Sequence, residues 1–204
     1  MPTALRTSLL LLASTVLVAA CAGEPERPAA TEFLDPQTAM TVRVVAEPFT
    51  YAREVPELAA NVRDYLYLGA VETNNMGHRS HYLAVVSWST LDRKRVGVPP
   101  AELPDRLEMS LGTLSREYPL KTHEARTIGV GTSILEPPAG YLGDSWFIVS
   151  AADLRAFAAT PPASVDVLVG GVRQTYTLWK RADAALAAFV EDIPTEVKSA
   201  PPRR

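Results

Sequence analysis

The chain is 204 residues long and 47% hydrophobic, with 20 lysines and arginines against 23 aspartates and glutamates, a formal net charge of −3 and one cysteine. Mixed charge without a long basic block argues against a nucleic-acid partner, and a single cysteine excludes an internal disulfide framework. One domain of this size buries more than about two-thirds of its unfolded surface, so the fold needs no metal or disulfide.

The first element in chain order is Arg6, an apolar run from Leu9 to Val18, and the small residues Ala19 and Ala20 ahead of Cys21. A positive start, an apolar core and small residues before a cut site predict a secretory signal over 1–20. The run is too short for a membrane span of about 20 apolar residues, with Ser14 and Thr15 interrupting it. Val18-Ala19-Ala20-Cys21 resembles the lipobox of bacterial lipoproteins. That resemblance implies cleavage before Cys21, a diacylglyceryl group on its thiol and an acylated amino terminus. Two or three acyl chains, at about 0.8 kcal/mol per buried methylene, anchor firmly where one does not. Ala22 stands where an aspartate would imply retention at the inner membrane, so the expected site is the outer membrane, periplasmic face, with the inner membrane as the alternative.

Ala22 to Thr31 carries Pro25, Pro28, Glu24 and Glu26 among small residues, a composition that predicts a flexible tether. The single globular domain is expected over 32–193, and the Pro- and Arg-rich end, 194–204, as a disordered tail. Within the body, Thr41 to Glu47 is rich in β-branched residues, and past Pro48 the rings of Phe49 and Tyr51 alternate with Thr50, predicting strands. Pro56 to Val62 suits one helical turn. Tyr65 to Thr73 and His81 to Ser89 are apolar runs around Asn74-Asn75-Met76-Gly77, whose asparagines and glycine tolerate tight reversal; a hairpin at the heart of a sheet is predicted. Leu107, Met109 and Leu111 alternate with polar residues in a strand buried on one face, and Trp146 to Val149 forms another.

Ser150 with Asp153 has the form of a capping box, and Leu154, Phe157 and Ala158 follow at helical spacing until Pro161-Pro162. Val165, Val167 and Val169, the turn Gly170-Gly171, and Arg173 to Trp179 predict a second hairpin. Leu186, Phe189, Val190 and Ile193 mark a last amphipathic helix. The expected fold class is mainly β (α+β), with sandwich-like antiparallel sheets and about two C-terminal helices. Phe33-Leu34-Asp35, Val44 to Pro48, Tyr65 to Glu72, His81-Tyr82, Trp88-Ser89-Thr90 and the closing strand-helix-hairpin-helix segment from Trp146 to Val190 together resemble a group of proteobacterial lipoproteins of unknown function. That resemblance implies the same architecture and transfers no activity.

Chemistry-bearing residues are sparse. His78-x-x-His81, with His123 the only other histidine, is the nearest approach to a metal motif, and a closed zinc site would need carboxylates such as Glu72 or Glu124 to complete four ligands. Gly143-Asp144-Ser145 resembles the serine block of one lipase and esterase family, but no histidine follows His123 and a turn explains the tripeptide. Arg93-Lys94-Arg95 is the densest positive run, a solvated loop or an anion or lipid-headgroup contact. Tyr65, Tyr67, Tyr82 and Trp88 would line one face of the hairpin as core or as a binding surface. No phosphate loop, dinucleotide fingerprint or calcium loop is present, so no cofactor is expected. The expected function is a non-catalytic binding or scaffold role, lipid-anchored, for another envelope protein. The alternatives are an envelope hydrolase or metal-dependent enzyme using His78, His81 or His123, and a carrier of an apolar ligand.

A Cys21→Ser variant is expected to keep the fold and move from the membrane to the soluble fraction on centrifugation. Complete retention of the variant with membranes would refute lipid anchoring.

Overall fold

The computed structural model describes residues 30–93, 95–98, 101–135 and 140–194. Cys21, the signal, residues 22–29 of the tether, Lys94 and the tail from 195 lie outside the described residues. The strands are β1 (Ala30–Leu34), β2 (Thr41–Val45), β3 (Phe49–Glu54), β4 (Arg63–Asn75), β5 (His78–Ser89), β6 (Arg106–Leu111), β7 (Leu114–Thr122), β8 (Tyr141–Val149), β9 (Ser164–Val169) and β10 (Val172–Lys180). Helix α1 (Ala151–Ala159) follows β8, α2 (Asp183–Glu191) follows β10, and a 3-10 turn covers Ala125–Ile128. Strand β1 begins at Ala30, so the folded body takes in two residues expected in the tether.

The predicted central hairpin is β4–β5. Met76 and Gly77 take positive φ values of 50° and 95°, the backbone that a two-residue reversal requires, and Asn74 Oδ1 accepts a hydrogen bond from the Gly77 N–H at 2.8 Å. The ladder runs unbroken from Asp64 opposite Ser89 to Asn75 opposite His78. Along the other edge of β4 lie β3, against Arg63 to Leu68, and β2, against Val71 to Asn74. Pro48, which has no N–H to give a ladder, falls between them, so one edge serves two strands that part company. Strand β2 pairs onward with β1, and β3 with β10.

The expected sandwich is corrected to a barrel. The order β4-β3-β10-β9-β6-β7-β8-β5 returns to β4, closing eight antiparallel strands into a ring, with β2 and β1 attached outside it. The strand that closes the ring is β7, which the sequence reading passed over. Leu114 to Glu117 are exposed, Pro119 interrupts the run, and Tyr118 is its one fully buried side chain. Yet β7 pairs with β6 from Leu114 to Pro119 and joins β8 through Leu120–Phe147 and Thr122–Trp146. The helical turn expected over Pro56 to Val62 is instead the β3–β4 loop, closed by the Val55 N–H on the Val62 carbonyl at 2.9 Å.

Alternation sends Phe49 and Tyr51, Leu66, Leu68 and Ala70, Leu83 and Val85, and Phe147 and Val149 inward, all buried in one core with Leu107, Val165 and Val167. The helices cover one end of the ring. Ser150 caps α1 as predicted, its Oγ accepting from the Asp153 N–H at 3.0 Å, and Leu154 and Phe157 of α1 join Leu186, Phe189 and Val190 of α2 in the core. Phe157 packs on Phe49 with ring centroids 5.0 Å apart. A second apolar cluster lies outside the ring, where Val42, Val44, Val71, Tyr82, Ala84 and Trp146 meet Ile128 and Val130. Asp35 pins that covering segment, accepting from the N–H groups of Gln37, Thr38, Gly131 and Thr132. Burial opposes the charge on its carboxyl, but the four donors outweigh it and hold the pKa below the usual aspartate range.

Phe157→Ala removes a fully buried ring from the plug and is expected to destabilise the fold by about 3–5 kcal/mol, measured by urea unfolding. A loss under 1 kcal/mol would show that the helices do not hold the barrel end.

Candidate functional site

At the end of the barrel away from the helices, the inward stripes of β3, β4 and β5 change from apolar to polar. Arg53 follows Phe49 and Tyr51 on β3, and it stands in register with Asp64, two residues before Leu66 on the inward face of β4. Ser87 follows Val85 on β5, and Tyr176 faces in from β10. The turn after β5 brings Arg93 over the same spot. Arg53 Nη2 donates to Asp64 Oδ2 at 3.1 Å, and Arg93 Nη2 donates to both oxygens, at 3.4 Å and 3.1 Å. The Arg53 guanidinium also lies 5.5 Å from the Tyr176 ring centroid, a cation–π contact.

These groups floor an open cavity of about 350 Å³ whose apolar walls include Leu142, Val169 and Pro104. The wall from Ala101 to Pro104 is seated by a glycine. Gly143 lies opposite Ser87 at a register shift in β8, and a Cβ there would come within 2.6 Å of the Leu103 side chain. Four buried polar atoms around the cavity, Ser87 Oγ, Trp88 Nε1 and the Nε groups of Arg53 and Arg93, have no hydrogen-bond partner among the described residues. Buried donors are normally satisfied, so this concentration distinguishes the mouth from the rest of the barrel. Burial pushes the Tyr176 hydroxyl pKa up, against the smaller opposing effect of Arg53.

The residues singled out from sequence are dispersed. His78 is exposed and His81 half-buried, and with a period of two they project from opposite faces of β5. His81 Nε2 lies 3.1 Å from Glu72 Oε2, at the helical end. Glu124 is exposed beside the 3-10 turn, and among the described residues no three histidines, cysteines or carboxylates are grouped to hold a metal. Arg95 is exposed, its N–H donating to Asp92 Oδ1 at 3.1 Å. Of the basic run, Arg93 enters the mouth. Tyr65 stacks on Trp88 at 4.2 Å and both border the cavity, Tyr67 meets the same ring edge-on at 5.6 Å, and Tyr82 packs separately against Trp146.

His123 does approach Ser145, with Nδ1 3.1 Å from Oγ. The same Nδ1 is 3.0 Å from the Asp144 carbonyl oxygen. A carbonyl only accepts, so the contact requires the proton on Nδ1, which then has no lone pair to take a proton from serine. Ser145 is also 0% exposed. The Asp144 carboxyl bonds the Tyr141 hydroxyl instead of the imidazole, and burial raises its pKa.

The sequence reading missed Arg53, Asp64, Ser87 and Tyr176. Their signal is a polar residue in phase with a buried apolar stripe, as Arg53 is with Phe49 and Tyr51. Comparison of the chain with protein-family models, with curated proteins and with solved structures finds no match in any of the three.

At the other end of the β4 stripe, Glu72 accepts from Arg79 at 2.8 Å and faces Arg43 at 3.7 Å as well as His81. Burial raises its pKa, but the His81 contact and the two guanidinium groups prevail and hold it below the ordinary glutamate value of 4.5. The stabilisation is therefore present above that value and is lost as pH falls through the folded-state pKa. Glu72→Gln is expected to cost roughly 2–3 kcal/mol at neutral pH, less than a fully severed buried pair because Arg43 keeps Asp192. The gap in Tm between wild type and variant should narrow as pH falls below the ordinary glutamate value; a gap that widens there would contradict the assignment.

Proposed function

We propose that this protein acts by binding: a lipid anchor at Cys21 holds it at the periplasmic face of the outer membrane, and the barrel mouth takes a small molecule. The observation that carries the reading is the cavity of about 350 Å³ floored by buried donors without acceptors. Its size falls at the small end of ligand pockets, roughly 300–1,000 Å³, and its few convergent polar groups in apolar walls are what such pockets use for orientation. Among the described residues no helix is long and apolar enough to cross a membrane, and attachment in this reading rests on the acyl chains.

Two of the alternatives lose support. A serine hydrolase needs an accessible hydroxyl beside a base with a free lone pair, and Ser145 and His123 offer neither. A carrier of a wholly apolar ligand needs space within the sheets, whereas the barrel centre is filled by Leu66, Leu68, Leu83, Val85 and Phe147. Docking of another envelope protein keeps one specific observation in its favour: Trp179, 59% exposed, meets Tyr65 edge-on at 6.1 Å with Arg63 over its ring, an aromatic and arginine pairing typical of interface anchors.

In a thermal-shift panel of small carboxylates, alcohols and amines, at least one class should raise Tm saturably. A ligand at 100 times its Kd stabilises by about 2.7 kcal/mol. Ala101→Trp, which places a ring at the half-exposed rim, should abolish that increment without lowering the unliganded Tm. A panel with no stabilising member, or a gain untouched by Ala101→Trp, would overturn the mouth as the binding site.

A further inference from the structure

Resting on the binding reading above, we propose that the mouth recognises a monocarboxylate with a short apolar body. The floor holds two guanidinium groups and one carboxylate, so its buried part carries one uncompensated positive charge. The side chains are 24% exposed for Arg53, 13% for Arg93 and 6% for Asp64, and charge so far removed from water is costly unless it is paired. Asp64 cannot satisfy both partners. It engages one terminal nitrogen of each arginine and leaves both Nε–H donors without acceptors, together with the hydroxyl of Ser87, which is 5% exposed.

An entering carboxylate supplies the missing acceptors and the missing negative charge at once. Guanidinium favours planar, two-oxygen acceptors, and hydrogen bonds between ionised partners are the stronger kind. Two further carboxylates, Glu57 and Glu102, line the rim, both exposed and solvated. Their field opposes a multiply charged anion more than a singly charged one, which weighs against a phosphate dianion. Apart from Gln174 and Trp88, the remaining walls, with Leu58, Pro104, Leu142 and Val169, are apolar and suit methylene or ring carbons.

The test uses the intact lipidated protein in a non-ionic detergent, titrated calorimetrically with hexanoate, hexanol and inorganic phosphate. Hexanoate should bind saturably, and hexanol and phosphate at least tenfold more weakly. Arg93→Gln, at a turn position, should weaken hexanoate at least tenfold and hexanol far less. Asp64→Asn removes the internal competitor and should tighten hexanoate several-fold, a gain that a purely structural Asp64 would not give. Hexanol matching hexanoate, phosphate exceeding it, or an unchanged affinity in Arg93→Gln would overturn the carboxylate assignment while the mouth remains a binding site. Silence of all three probes together with the wider panel would overturn the binding reading and this inference with it.

Discussion

The ladder between β4 and β5, from Asp64–Ser89 to Asn75–His78, is the constraint on which the rest of the molecule depends. Both strands are long enough to need a second partner along most of their length, because a bare strand edge is a template for association. Strand β5 finds β8, and β4 finds β3 and β2 in succession. Once β8 and β3 are fixed on opposite sides of the hairpin, the four strands remaining in the ring link them round. A closed ring leaves none of its members with an unpaired edge, whereas a sandwich of the same strands leaves several. Closure also fixes the chemistry, since every second residue then points into the enclosed interior.

The inward stripe of β4 shows what such a space requires. Leu66, Leu68 and Ala70 fill it, and a carboxylate stands at each limit, Asp64 at the mouth and Glu72 beneath α2. The two ends are resolved differently. Glu72 meets Arg43, Arg79 and His81, and Arg43 carries the network to the C-terminal turn of α2 through the Phe189 carbonyl at 3.0 Å and Asp192 at 3.1 Å. A guanidinium on the last carbonyls of a helix also complements its dipole, so this end is fastened. Asp64 serves two arginines and leaves donors over. Arg43 Nε is also without a partner, so the two ends differ less in saturation than in setting: the spare donors at the mouth open onto a cavity.

Much of this was legible in the amino-acid order because it depended on local rules. The reversal at Met76-Gly77, the Ser150 cap, the turn at Gly170-Gly171 and the buried face of α2 each follow from positive-φ tolerance, a side-chain oxygen, or spacing within one segment. Barrel and sandwich share that local grammar and differ in which distant edges meet. The strand that decides between them, β7, is polar because nearly all its side chains face solvent, and alternation cannot announce a strand with so little to bury. The mouth was hidden for a similar reason. Arg93 stood in view as part of a basic run, but Asp64 and Arg53 become a site only through a register between strands, and neither belongs to a motif.

The contrast between the mouth and the Ser145–His123 pair separates proximity from competence. At Ser145 two reactive side chains lie within hydrogen-bond distance, yet the imidazole proton is committed to a backbone carbonyl and the hydroxyl is sealed from solvent. Neither group is then free to act on a substrate. At the mouth the distances are no shorter, but donors outnumber acceptors and the gap opens onto a cavity. Unmet hydrogen-bonding capacity in a desolvated place is free energy held in reserve for whatever supplies the missing partner. That reserve is a stronger pointer to function than the chemical reputation of histidine or serine, because it follows from how this chain folds.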